Sequence, residues 1–144
     1  MDESTRAIQG TFSNRGDAMP RVLALVDRLE EECGVPAETL TDLRIALDEV
    51  VTNIIKYAYR DEGRHEITIR CVVRGGFLET TVEDDGIAFD PLLAPAPDIS
   101  APVATRAVGG LGLHFLRNLM SDLSYQRLEG RNRLTLTQKL PEKK

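Results

Sequence analysis

A two-layer α+β sandwich, with helices packed on one face of a mostly antiparallel sheet, is predicted for this 144-residue chain by three observations. Apolar residues recur at helical spacing in two early segments, first Val22, Leu25, Val26 and Leu29, then Leu43, Leu47, Val50, Ile54 and Ala58. The period then changes, and β-branched runs come in pairs: "EITIRCVV" with "FLETTVED", then the two halves of "DLSYQRLEGRNRLTLTQKL". Strands gathered apart from helices favour separate layers over alternating βαβ units.

Residues 6–12 form a short candidate strand, and "SNRGDAMP" follows with turn formers and Asp17 as an N-cap. The first helix runs from Pro20 to about Glu32 and stops at "CGVP", where Gly34 and Pro36 cannot continue it. Thr39 or Thr41 stands near the start of a longer second helix that reaches about Tyr59, and a polar turn around Gly63 follows. Gly75 and Gly76 mark a hairpin turn between the next two strands. The proline-rich stretch "GIAFDPLLAPAPDISAPVATRAVGG" has no sustained periodicity and reads as a long loop. A third helix, "LGLHFLRNLM", opens at a glycine cluster, and a last hairpin turns near Gly130 and Asn132. These elements make one domain over residues 5–140.

Composition excludes several classes of function. Hydrophobic residues at 42% suffice for a core that folds alone. A net charge of −5, with lysines and arginines scattered, offers no basic field for direct nucleic-acid binding. Cys33 and Cys71 are isolated, match no metal-ligand spacing, and are expected to be reduced. The opening "MDESTRAIQG" lacks the apolar core of a secretion signal, and no apolar run approaches membrane-spanning length, so a cytoplasmic location away from the membrane is expected.

Three clusters carry chemistry. On the second helix each residue advances about 100°, so Glu49, Asn53 and Lys56 fall on one stripe, away from the apolar face. Alone, such a stripe is an ordinary solvated helix face. In "VEDDGIAFD", Asp84 ends a strand where a carboxylate could accept a hydrogen bond from the exocyclic amine of adenine, and Gly86 lets the backbone pass close to something flat. Alone, Asp-Gly is a common turn. In "VGGLGLHFL", Gly109, Gly110 and Gly112 lead into a helix, as suits either phosphate contact by backbone N–H groups or a hinge. Their spacing matches neither the dinucleotide fingerprint nor the Walker loop.

The order of these clusters is more specific than any one of them. "EVVTN", then "DDGIAF", a proline-rich loop, then "GGLGL" resembles the N, G1 and G2 boxes of the GHKL ATP-binding superfamily of gyrases, heat-shock chaperones, histidine kinases and mismatch-repair ATPases. Within it, the small size, "ALDEVVTNIIKYAY" and "GGLGLHFLRNLMSDLSY" look like the bacterial anti-sigma factor serine/threonine kinases. The resemblance implies a Bergerat fold with ATP between the second helix, a lid loop and the third helix. It implies that Asn53 holds Mg²⁺ against the phosphates and that Glu49 is the general base. It further implies that Asp84 binds the adenine amine beside Gly86, and that Gly109, Gly110, Leu111, Gly112 and Leu113 wrap the phosphates. Lys56 matches the basic residue after the asparagine, Arg21 is the nearest match to an arginine that touches the transferred phosphate, and Thr135 stands in for a missing Gly-Thr pair. Ala88 replaces the second glycine of the G1 box, a change expected to affect how the nucleotide lies.

The implied partners are a sigma factor, which is sequestered, an anti-anti-sigma protein, which is phosphorylated, and a second copy of the chain in a homodimer. The alternative is a nucleotide-gated binding module without kinase activity. The ATPase domain of a histidine kinase fits less well, because no helix carrying a phosphoacceptor histidine comes before it; His65 and His114 read as structural.

Overall fold

The structure, a computed structural model, describes residues 5–15, 17–59, 63–88 and 116–141. Five strands, β1 (Arg6–Ser13), β2 (Glu66–Arg74), β3 (Phe77–Asp84), β4 (Asp122–Leu128) and β5 (Arg131–Lys139), form one sheet in the order β1-β2-β3-β5-β4. Every neighbouring pair is antiparallel. Two helices, α1 (Ala18–Cys33) and α2 (Ala37–Asn53), cover one face, so the predicted two-layer α+β architecture is the one observed.

Strand alternation decides which residues meet the helices. Ile67, Ile69 and Cys71 of β2, Leu78 and Val82 of β3, and Leu134 and Leu136 of β5 are buried with Val22, Leu25, Val26 and Leu29 of α1 and Leu40, Leu43, Leu47 and Val51 of α2. Each such side chain, fully buried, contributes about 1.5–3 kcal/mol. Burial pushes the Cys71 thiol up to about 11, so this free thiol behaves as core.

Local chemistry sets the ends of the elements. Gly34, at φ +68°, turns the chain out of α1; its N–H reaches the Glu30 carbonyl and the Val35 N–H reaches that of Leu29, satisfying two terminal acceptors. Asp17 sits at the N-cap of α1, but its side chain makes no capping bond there. α2 begins at Ala37 after an extended Pro36, ahead of both threonines. The β2–β3 hairpin turns through Gly75 and Gly76 with φ +58° and +81°, the pattern of a two-residue primed turn. The last hairpin departs from expectation: its turn is Glu129-Gly130, with φ of 51° and 78°, and Asn132 lies inside β5 opposite Asp84.

The helix also ends differently. After Asn53 the α-helix widens into a π-helical turn, Ile54–Ala58, before the chain becomes extended at Tyr59. Contacts at the start of α2 and in the π turn that continues it fix its direction across the sheet. At one end Gln138 Nε2 of β5 donates to the Thr39 carbonyl at 2.9 Å; at the other the Ala58 carbonyl accepts from Ile87 N–H at 2.8 Å. α2 therefore delivers its C-terminal residues to the end of β3. Among the described residues no helix is long and apolar enough to cross a membrane.

Candidate functional site

The end of β3 is built around a buried acid. Asp84 is 4% exposed, and burial holds its carboxyl above the usual aspartate range. Three influences oppose that shift, namely hydrogen bonds from Asn132 and from the Gly86 N–H and the charge of Arg127, while Asp85 adds to it. Asp84 Oδ1 accepts from Gly86 N at 2.8 Å and from Asn132 Nδ2 at 3.0 Å. Its Oδ2 takes no hydrogen bond among the described residues and is the oxygen left for a ligand.

Gly86 is needed for close approach rather than for an unusual φ. A Cβ there would lie 2.5 Å from the Ala58 carbonyl oxygen, 2.6 Å from the Ala58 Cβ and 2.9 Å from Asp84 Oδ1. The π turn and the residues after β3 are therefore in direct contact, closed by the Ile87–Ala58 hydrogen bond. Gly86→Ala is expected to push them apart at a cost of about 1–3 kcal/mol. Nucleotide titration followed by thermal melting checks this, with a weaker dissociation constant and a lower Tm both expected. Ala88, in contrast, is exposed.

At the C-terminal end of α2, Asn53 Nδ2 donates to Glu49 Oε1 at 3.2 Å, one turn back. That bond orients the amide, leaving Asn53 Oδ1 as a hard oxygen donor with no partner among the described residues. Among those residues no group of three or more His, Cys, Asp or Glu could hold a metal. One amide oxygen supplemented by phosphate oxygens is nonetheless a donor set that suits Mg²⁺. Lys56 is exposed within the π turn that follows Asn53.

The remaining predicted residues fall into three groups. Arg21 lies exposed on the first turn of α1, where no hydrogen bond or ion pair joins its guanidinium to Glu49 or Asn53. Gly109, Gly110, Leu111, Gly112 and Leu113, together with His114, lie outside the described residues; within the predicted third helix, residues 116–119 are helical. Thr135 stands apart from the Asp84 turn. It pairs with Thr81 on the sheet face away from the helices, its Oγ1 3.4 Å from that of Thr81, whereas Asp84 points toward the helices. The β5 residue beside Asp84 is Asn132.

Asn132 and its neighbours escaped the sequence reading. Its Nδ2 donates to Asp84 Oδ1 and, at 2.8 Å, to the Ile87 carbonyl, while its Oδ1 accepts from the Tyr125 hydroxyl and from Arg127 Nη1 at 3.1 Å. The available signal was parity, since Asn132 is in step with Leu134 and Leu136, a polar side chain on the core face. Beside this cluster His65 stacks on Tyr59 with ring centroids 4.1 Å apart, and its Nδ1 lies 3.1 Å from Asp85 Oδ1. The backbone of His65 pairs with Asn14, accepting from its N–H and donating to its Oδ1, both at 2.9 Å, which suits the structural role expected of this histidine.

Comparisons with known proteins identify the family. The family model of the histidine kinase-like ATPase domain matches residues 12–138. Serine-protein kinase RsbW of Listeria monocytogenes serovar 1/2a is 32% identical over 107 residues, covering 71% of this chain and 68% of that protein. Serine/threonine-protein kinase BtrW of Bordetella bronchiseptica is 35% identical over 97 residues, covering 66% of this chain and 67% of the other. A crystal structure of the RsbU and RsbW domains of Rv1364c from Mycobacterium tuberculosis matches 94% of this chain with a TM-score of 0.65. At 20% identity that likeness speaks to the fold, and the chain spans 32% of the longer protein.

Proposed function

The chain belongs to the histidine kinase-like ATPase family, and on that premise we propose that it is an ATP-dependent serine/threonine protein kinase acting as an anti-sigma regulatory factor. The observation that carries the reading is the Glu49–Asn53 pair, hydrogen-bonded one turn apart on the helix that also docks the Asp84–Gly86 turn. Base recognition and phosphate chemistry then share one rigid element, over a single domain of residues 5–140.

In this reading Asp84 accepts the adenine amine through Oδ2, while Asn132 holds its other oxygen. Asn53 holds Mg²⁺, which when bound neutralises phosphate charge. Glu49 accepts the proton of a serine or threonine hydroxyl as its oxygen attacks the γ-phosphorus and ADP leaves. Gly109, Gly110, Leu111, Gly112 and Leu113 contact the phosphate chain, and Lys56 and Arg21 supply cationic charge near it.

The phosphate acceptor is an anti-anti-sigma protein and the sequestered partner a sigma factor, both met in the cytoplasm by a homodimer of this chain. Phosphorylation adds close to two negative charges at the docking surface, and so decides which partner stays bound. The test incubates the chain with Mg²⁺, labelled ATP and a cognate anti-anti-sigma protein. Label on a serine or threonine of that protein is expected, and no transfer at ATP concentrations that saturate binding overturns the kinase reading.

A further inference from the structure

We propose that Arg127 is a positioning residue for nucleobase discrimination: by holding the Asn132 amide in one orientation, it fixes which oxygen of Asp84 is left to read the base. The inference rests on the reading of Asp84 as the base acceptor and deepens it.

The amide of Asn132 has a donor end and an acceptor end, and its neighbours are sorted to match. Both acceptors, Asp84 Oδ1 and the Ile87 carbonyl, face Nδ2; both donors, the Tyr125 hydroxyl and Arg127 Nη1, face Oδ1. A flipped amide would set oxygen against two oxygens and N–H against the arginine donor, forfeiting three bonds near a buried carboxylate; the Tyr125 hydroxyl can accept as well as donate, so Arg127 is the group that sorts this end of the amide. Arginine suits this place because it can only donate. The same Nη1 donates to the Gly86 carbonyl at 2.9 Å, so one side chain fixes both the amide and the turn that follows Asp84.

With the amide locked, Asp84 Oδ1 is occupied by Gly86 N–H and Asn132 Nδ2, and Oδ2 is an acceptor without a donor of its own. Adenine presents a donor at its 6-position; guanine presents an acceptor there and meets oxygen against oxygen. Discrimination requires Asp84 to stay ionised, because a protonated carboxyl could donate to the guanine oxygen. The charged groups that act on it are Asp85 at the end of β3 and Arg127 on β4; the Tyr59 phenol after the π turn stays neutral, its own pKa raised by burial and by Asp84. Of these Arg127 favours the ionised form, while Asp85 and burial favour the acid. Loss of Arg127 therefore both frees the amide and promotes the state that tolerates guanine.

The experiment measures ATP and GTP dissociation constants across mildly acidic to neutral pH for the full chain and for Arg127→Ala, Arg127→Met and Asp84→Asn, with apo Tm in parallel. Arg127→Ala is expected to weaken ATP about tenfold, to leave GTP unchanged or tighter, and to move the acid limb of ATP binding to higher pH. A purely structural role would lower Tm and weaken both nucleotides alike, leaving the ratio where it was. An unchanged ATP-to-GTP ratio in Arg127→Ala, with ATP binding abolished by Asp84→Asn, overturns the inference. Should Arg127→Ala not fold, Arg127→Met keeps an unbranched stem, removes the same donor from the Asn132 oxygen and must lower the ratio in its place. ATP binding that survives Asp84→Asn refutes instead the underlying reading of the base site.

Discussion

Glu49→Gln is expected to reduce phosphoryl transfer by about three orders of magnitude while leaving ATP affinity within about twofold, because a general base contributes roughly 10²–10⁴ in rate. The separation follows from the geometry. Glu49 Oε1 accepts from Asn53 Nδ2, and the carbonyl oxygen of a glutamine can accept the same bond, so Asn53 keeps its orientation toward metal and phosphate. What glutamine lacks is a basic oxygen to take the hydroxyl proton, since an NH₂ donor stands where the second carboxylate oxygen was. Glu49→Ala differs, since it also leaves the Asn53 amide without its partner and is expected to weaken Mg²⁺-ATP several-fold as well as stopping transfer. Single-turnover transfer to the anti-anti-sigma protein, measured beside equilibrium ATP binding, distinguishes the two variants. Near-normal turnover by Glu49→Gln would remove Glu49 from the chemistry. Intact partner regulation in that silent variant would favour a nucleotide-gated binding module.

The helices were legible because burial imposes a period. Val22, Leu25, Val26 and Leu29, and likewise Leu43, Leu47 and Val50, were expected on one face and are buried there. Gly75 and Gly76 announced their turn because few residues other than glycine take two successive positive φ values cheaply. The second hairpin misled because Glu129 accepts a φ of 51° beside Gly130, so the turn closes two residues before Asn132 leaves the ladder of expectation and enters β5. Face assignment in a strand depends on parity, and "RLTLTQK" places Thr135 opposite in phase to Leu134 and Leu136. The π turn had no such signature: Ile54 and Ile55 are both partly buried, and a single widened turn leaves the apolar spacing before it intact. Its contact with Gly86 depends on two segments distant in sequence and could be found only in three dimensions.

Asp84→Asn should abolish ATP binding, by about 100-fold or more, without destabilising the apo protein. Burial raises the folded-state pKa of Asp84, so folding favours its protonated form. The stability it contributes is complete below the unfolded carboxylate value and is lost as pH rises through the raised folded value. At neutral pH the ionised side chain therefore works against the fold, and an asparagine, which never ionises, does not. Asparagine also keeps an oxygen able to accept from Gly86 N–H and Asn132 Nδ2, while its NH₂ takes the place of Oδ2, which has no donor to lose. Apo Tm is thus expected to match wild type in strong acid and to equal or exceed it near neutrality. The adenine amine, in contrast, would meet a donor where it needs an acceptor. Wild-type ATP affinity is expected to fall on acidification through a pH above the ordinary aspartate range, and Asp84→Asn is expected to show weak binding with no such limb. Melting curves with and without ATP over that range test both halves. A variant that loses apo stability at neutral pH contradicts the electrostatic account, and one that retains the ATP-induced rise in Tm contradicts the assignment of Asp84 to the base.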